Sequence, residues 1–261
     1  MNAISTHADW RRCMAAGLLF VAVTGPAAAQ DSPPVDHARQ YAACMTLTKT
    51  EPAEALASAR AWEAQGGSQA ARHCAAVAMI GLGRFDEAAA SLDALAQDLD
   101  PAEVDLRVGV LGQAGQAWLL AADAERALAA QSAALALAPE NVEMLVDRGI
   151  SLITLTRYWE ALDDFNAALD LAPGRPDILI FRASAYRYLD SLDLARDDVD
   201  RALNLDPDNP DGLLERGILH RIAGEPEAAR ADWQRVLNLA QGTPAADMAR
   251  GNLARLDGTK P

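Results

Sequence analysis

The sequence predicts an all-α fold, an α-solenoid of about six helix-turn-helix units followed by a C-terminal capping helix. Composition is the first observation, because 51% of the residues are hydrophobic but only 5% are aromatic, a balance that favours close-packed helices over sheets. Apolar residues recur at i, i+3, i+4 and i+7 in paired runs that short turns join. The same unit then returns with a nearly constant period, which is typical of a repeat protein.

The first 29 residues have the features of a secretory signal peptide. Two arginines precede the apolar run Met14–Val23, and the small residues Ala27–Ala29 form a cleavage site. An apolar run of about ten residues is too short to cross a bilayer core about 30 Å thick. We therefore expect a cleaved signal peptide over 1–29, a flexible lead-in over 30–35, a periplasmic location and no membrane span.

One alanine marks each repeat unit, at spacings of 33, 39, 34, 34 and 34 residues. A second small residue stands twelve positions earlier in every unit, so two independent markers share one period. We attribute the long spacing of 39 to an extra turn near residues 102–106. The marker alanines are Ala55, Ala88, Ala127, Ala161, Ala195 and Ala229.

The unit that starts at Val142 shows the pattern most fully. Its diagnostic residues are Gly149, Tyr158, Ala161, Phe165, Ala168 and Pro173. In period and residue type they resemble the tetratricopeptide repeat, in which small residues lie where two helices cross and a proline ends the second helix. The resemblance implies a right-handed superhelix with two divergent repeats over 36–102, four repeats over 108–243 and a capping helix over 244–257.

In the proteins that this chain resembles, the first helix of each repeat lines a concave groove for peptides. The resemblance therefore implies an exported bacterial scaffold that binds a protein or peptide segment in this groove. The alternative is a self-associating module of an envelope assembly, in which a homodimer partner or the superhelix itself covers the groove. The groove residues predicted from the last three units are Val146, Ile150, Ile153, Ile180, Ser184, Arg187, Leu214, Ile218 and Arg221.

Charge and motif content argue against nucleic acid and against catalysis. The net charge is -14, from 37 acidic and 23 basic side chains, and this would repel a phosphate backbone. The acidity fits a solubility role, with a basic partner as the alternative. The sequence contains no zinc-protease, nucleophile-elbow or phosphate-loop motif. We therefore predict no enzymatic activity, no cofactor and no metal.

Three arginines recur in phase, each in place of a leucine that is common in the first helix. Each is followed sixteen residues later by an aspartate, whereas units without the arginine also lack the aspartate. This correlation predicts ion pairs between helices, which fix register more than they stabilise; the alternative makes the arginines ligand clamps. The predicted pairs are Arg148 with Asp164, Arg182 with Asp198, and Arg216 with Asp232.

Cys44 and Cys74 fall on the first helices of two adjacent units. Because neighbouring helices pack about 8–10 Å apart, facing cysteines there can form a disulfide. One alternative is a metal site that also uses His73 and His37. The other leaves both thiols free and buried.

Overall fold

The computed structural model describes residues 36–258, and every regular element in this range is helical. The predicted signal peptide and lead-in lie outside the described residues. No helix within 36–258 has the length and apolar character needed to cross a membrane. The α-helices are α1 His37–Thr50, α2 Pro52–Trp62, α3 Ser68–Gly81, α4 Phe85–Asp98, α5 Val104–Leu120, α6 Ala124–Leu137, α7 Val142–Thr154, α8 Tyr158–Leu171, α9 Pro176–Tyr188, α10 Leu192–Leu205, α11 Pro210–Ile222, α12 Pro226–Leu239 and α13 Pro244–Leu256.

The helices pair in sequence order, α1 with α2 through α11 with α12, and α13 packs against both helices of the sixth pair. We call these pairs repeats 1 to 6. The predicted all-α solenoid of helix-turn-helix units with a terminal capping helix is confirmed. Helix starts follow ordinary capping chemistry, since Asn141 caps α7 and Asn209 caps α11 through their side-chain oxygens.

Close helix crossings explain the small residues that repeat along the chain. The marker alanines, such as Ala161 and Ala195, are completely buried. A Cβ added at Gly149 would overlap the ring of Phe165, and one added at Gly217 would overlap the ring of Trp233. Each glycine therefore admits an aromatic ring from the second helix of its own repeat.

Consecutive odd-numbered helices approach each other along the array, as α1 does with α3 and α9 with α11. We call the surface that the odd-numbered helices form the inner face. The helices α3 and α5 are an exception, because their backbones do not come close over a comparable length. The surplus residues of the 39-residue spacing lie at this place. They form a turn over 100–103 and an additional helical turn at the start of α5, which has 17 residues against 13 in α7.

Buried ion pairs join the two helices within repeats 4, 5 and 6. Arg148 donates to both carboxylate oxygens of Asp164, at 2.8 and 2.6 Å. Arg182 binds Asp198 in the same way at 2.7 Å for both bonds, and Arg216 binds Asp232 at 2.9 and 2.7 Å. The aspartates are buried, so the arginines supply the charge neutralisation that water cannot.

Candidate binding groove

A cavity of about 410 Å³ opens on the inner face of repeats 1 to 3. We call it the N-terminal pocket. It lies between α3 and α5, where the spacing of the array widens, and Gly109 leaves its floor without a side chain. Leu106 is 48% exposed at its edge. The lining residues are Tyr41, Gln69, Ala70, His73, Leu95, Leu99, Asp105, Leu106, Gly109, Val110 and Gln113.

A chain of hydrogen bonds crosses the pocket wall from α1 to α5. The distance from the Tyr41 hydroxyl to Nδ1 of His73 is 2.9 Å, and that from Nε2 of His73 to Oε1 of Gln113 is 2.8 Å. Both bonds are satisfied when Tyr41 donates and the imidazole is neutral with its proton on Nε2. Burial raises the pKa of Tyr41, which keeps its hydroxyl protonated as a donor. The wall is therefore held by side chains from three successive first helices.

The disulfide lies directly behind this wall. Cys44 and Cys74 are joined with a Cα–Cα distance of 6.2 Å, and both are buried. Cys44 follows Tyr41 by one helical turn, and Cys74 is the neighbour of His73. The covalent link between α1 and α3 thus fixes the two side chains that begin the hydrogen-bond chain. Within residues 36–258 no group of three or more His, Cys, Asp or Glu side chains is placed to hold a metal.

The inner face of repeats 4 to 6 differs from the groove that the sequence predicted there. Val146, Ile180 and Leu214 are only 5–7% exposed and belong to the core. Assigning them to a groove floor was wrong, because α7, α9 and α11 pack against neighbouring helices at these positions. Of the remaining predicted aliphatic residues, Ile150 and Ile218 are half-buried against the same core. Ile153 is half-buried there as well.

The predicted polar groove residues are mostly engaged within the chain. Arg187 donates to Glu215 at 2.5 Å and to Ser184 at 3.1 Å, and its guanidinium lies 4.4 Å from the centre of the Tyr188 ring. Arg221 is exposed, and its guanidinium has no hydrogen bond or ion pair with the described residues. Sequence reasoning missed Glu215, because its pair with Arg187 spans 28 residues and has no counterpart in other repeats.

The N-terminal pocket was not predicted from the sequence, although a signal for it was present. In the repeat phase, His73 occupies the inner position of Val146, while Tyr41 and Gln113 occupy that of Asp147. Carrying the phase into the first three units would have placed these three polar side chains on one face. The 39-residue spacing marked where that face widens.

Stacked helix pairs with buried small residues at the crossings define a tetratricopeptide-type solenoid. Residues 116–185 match one tetratricopeptide repeat family, and residues 176–209 match a second. These matches place tetratricopeptide repeats in the middle of the chain. No curated protein sequence matches it.

Solved structures extend this likeness at the level of the fold. A tetratricopeptide repeat protein from Parabacteroides merdae ATCC 43184 is 15% identical over 86% of this chain and 87% of its own, with a TM-score of 0.65. A thermophilic TPR protein from Thermus thermophilus is 19% identical over 72% of this chain and 98% of its own, with a TM-score of 0.59. MamA from Desulfovibrio magneticus RS-1 is 21% identical over 64% and 93%, with a TM-score of 0.54.

Proposed function

We propose that this chain is a protein-interaction scaffold that binds a segment of a partner protein at the N-terminal pocket, by noncovalent contact and without catalysis. The observation that carries the proposal is the pocket itself. It is the place on the inner face where apolar surface is open, while the matching surface of repeats 4 to 6 is packed against the chain's own side chains.

The size and lining of the pocket suit one apolar side chain of an extended segment. A volume of about 410 Å³ lies within the range of ordinary ligand sites. Leu106, which is 48% exposed, and the half-buried Tyr41 and Ala70 would contact an aliphatic or aromatic anchor. Gln69 and Gln113 carry amides on the lining that can bond to the backbone of the segment. Anchors of this kind supply most of the affinity in many interfaces.

We further propose that the protein is exported and works in the periplasm. Two features support this location. The first 29 residues resemble a secretory signal peptide. The buried disulfide between Cys44 and Cys74 is typical of oxidising compartments.

Peptide selection tests the proposed function. Displayed random peptides are selected on the purified chain, and the affinity of each is measured for two variants of matched surface exposure. Leu106→Asp alters the pocket at a residue that is 48% exposed, and Leu171→Asp alters the end of α8 at a residue that is 46% exposed. We expect Leu106→Asp to weaken binding at least tenfold and Leu171→Asp to leave it unchanged. Equal effects of the two variants would contradict the proposal.

Self-association is a second candidate, favoured by an aromatic surface at the start of α8. Trp159 is 68% exposed, and its neighbour Tyr158 stacks on Tyr188 at 4.8 Å between ring centres. An exposed tryptophan of this kind is common in interfaces. Light scattering should show a concentration-dependent dimer that Trp159→Ser disrupts; a monomer at all concentrations would exclude this candidate.

A further inference from the structure

We infer that Asp147 receives the cationic side chain of the bound segment, so that the partner carries a lysine or arginine close to its apolar anchor. This inference rests on the proposed function and names the chemistry of its partner.

The carboxylate of Asp147 is an exception among the half-buried and buried carboxylates on the first helices of repeats 4 to 6, since Asp177 and Glu215 both pair with an arginine. Elsewhere in repeats 4 to 6, the buried carboxylates Asp164, Asp198, Asp232 and Glu215 each have an arginine within 2.9 Å. Asp147 is half-buried on α7, and its hydrogen-bond partner is the neutral amide of Gln116, at 3.1 Å. No lysine or arginine of the described residues pairs with it.

The surroundings of Asp147 leave this charge uncompensated. Burial, followed by the nearby charge of Glu143, raises the pKa of Asp147, while the bond from Gln116 opposes the change. Arg175, which binds the neighbouring Glu143 at 2.7 Å and Asp177 at 2.8 Å, forms no pair with Asp147. A cation brought by a partner would supply the missing charge neutralisation.

Asp147 lies within reach of a segment anchored in the pocket. Gln113 lines the pocket, and Gln116, the donor to Asp147, follows it by about one turn on the same side of α5. Adjacent first helices are about 10 Å apart, and an extended segment advances about 3.3 Å per residue. We therefore place the cationic residue about three to five positions from the anchor.

A matched set of synthetic peptides tests this assignment. Each acetylated and amidated nonapeptide carries one phenylalanine anchor and one lysine at spacings of three, four or five in a Gly/Ser background. A second series replaces lysine by norleucine, which keeps the apolar stem but removes the charge. Affinities are measured by fluorescence anisotropy with the purified chain, with Asp147→Asn, and with Asp163→Asn as the control on the exposed surface of α8.

We expect lysine to improve binding about tenfold over norleucine at one of the spacings, as a charged hydrogen bond in a partly dry site would. Asp147→Asn should abolish this preference, while Asp163→Asn preserves it. The melting temperature of Asp147→Asn should equal or exceed that of the parent, because the free protein loses an uncompensated charge.

Each contrary outcome overturns a defined claim. Binding without a lysine preference, a preference that survives in Asp147→Asn, or a lower melting temperature for that variant overturns the role of Asp147 and leaves pocket binding intact. If no peptide binds, or if Leu106→Asp weakens the binding of none of them, the proposed function is overturned. The role of Asp147 is then overturned as well.

Discussion

The first helices of repeats 1 to 3 are joined by a disulfide and by hydrogen bonds from Tyr41 through His73 to Gln113. Repeats 4 to 6 instead pair arginines with buried carboxylates, both within repeats and between α9 and α11. The arrangement of repeats 4 to 6 is regular, and its inner face is closed by packed side chains. The arrangement of repeats 1 to 3 is irregular and leaves the N-terminal pocket open.

This difference shows where a repeat array has room for a ligand. Regular spacing brings consecutive first helices together, and Ile180 of α9 then packs beside Gly212 of α11. The longer connection before α5 interrupts that spacing and exposes apolar surface between α3 and α5. The covalent link between α1 and α3 keeps the less regular half ordered around this opening.

Removal of the disulfide should have the largest effect on stability. Replacing both Cys44 and Cys74 by alanine opens a link between residues 30 apart and should lower the free energy of unfolding by about 3.5 kcal/mol. Hydrogen exchange should accelerate in α1 to α3 and stay unchanged in α9 to α12. Reductant should reproduce the effect in the parent and do nothing to the double variant. Equal loss of protection in both halves would contradict the separation between them.

Loss of one ion-pair partner should have the second largest effect, this time in the regular half. Arg148→Leu leaves Asp164 buried without a cation. We expect this variant to lower the free energy of unfolding by about 3 kcal/mol. This value is at the low end of the range for buried ion pairs, because the arginine is 28% exposed. The double variant Arg148→Leu with Asp164→Leu should recover most of this loss in urea denaturation. A single variant as stable as the parent would show that the pair has no structural role.

A buried glutamine at the junction of the two halves should allow a gain in stability. Gln131 is completely buried, accepts a bond from Ser151 at 2.7 Å and has no partner for its Nε2. Gln131→Leu together with Ser151→Ala removes the unsatisfied amide and should stabilise by about 1 kcal/mol. Thermal unfolding of the double variant beside Ser151→Ala alone measures the effect. A double variant less stable than the parent would mean that the amide is satisfied in solution.

The smallest of the predicted effects is the dependence of stability on pH that Asp147 causes. Its pKa is raised in the folded protein. The contribution of this carboxyl to stability is therefore present below its unfolded pKa of about 4 and is lost as the pH rises through the folded value. The advantage of Asp147→Asn over the parent should grow across that interval and level off by neutral pH, below about 1 kcal/mol after solvent screening. If the stability of the parent and that of Asp147→Asn change in parallel between pH 4 and 7, the raised pKa of Asp147 is contradicted. Asp163→Asn is the control.

Much of the architecture could be predicted because the period of the chain is repeated many times. The marker alanines set the phase, and the phase placed Cys44 opposite Cys74, which the structure joins. The recurrence of an arginine and an aspartate sixteen residues apart indicated the pairs that the structure contains. In each case several units carry the same information, so the prediction did not depend on one contact.

The groove could not be predicted in the same way. Helical periodicity shows that Val146 and Leu214 lie on one side of their helices, but it does not distinguish an open groove from contact with the next repeat. That distinction depends on the distance between successive first helices, which the connecting segments set. The pair of Arg187 with Glu215 occurs once and left no recurring pattern in the sequence.

Site-specific photo-cross-linking tests the central claim, that the inner face of repeats 1 to 3 binds the partner. A benzoylphenylalanine at Gly109, where an added Cβ has no neighbouring atom within 4 Å, is compared with one at the exposed residue Arg221 on α11. A fluorescent peptide selected on the parent chain is irradiated with each protein. We expect a covalent adduct at position 109 and none at 221. An adduct at 221 with none at 109 would contradict the account and return the binding site to the regular half.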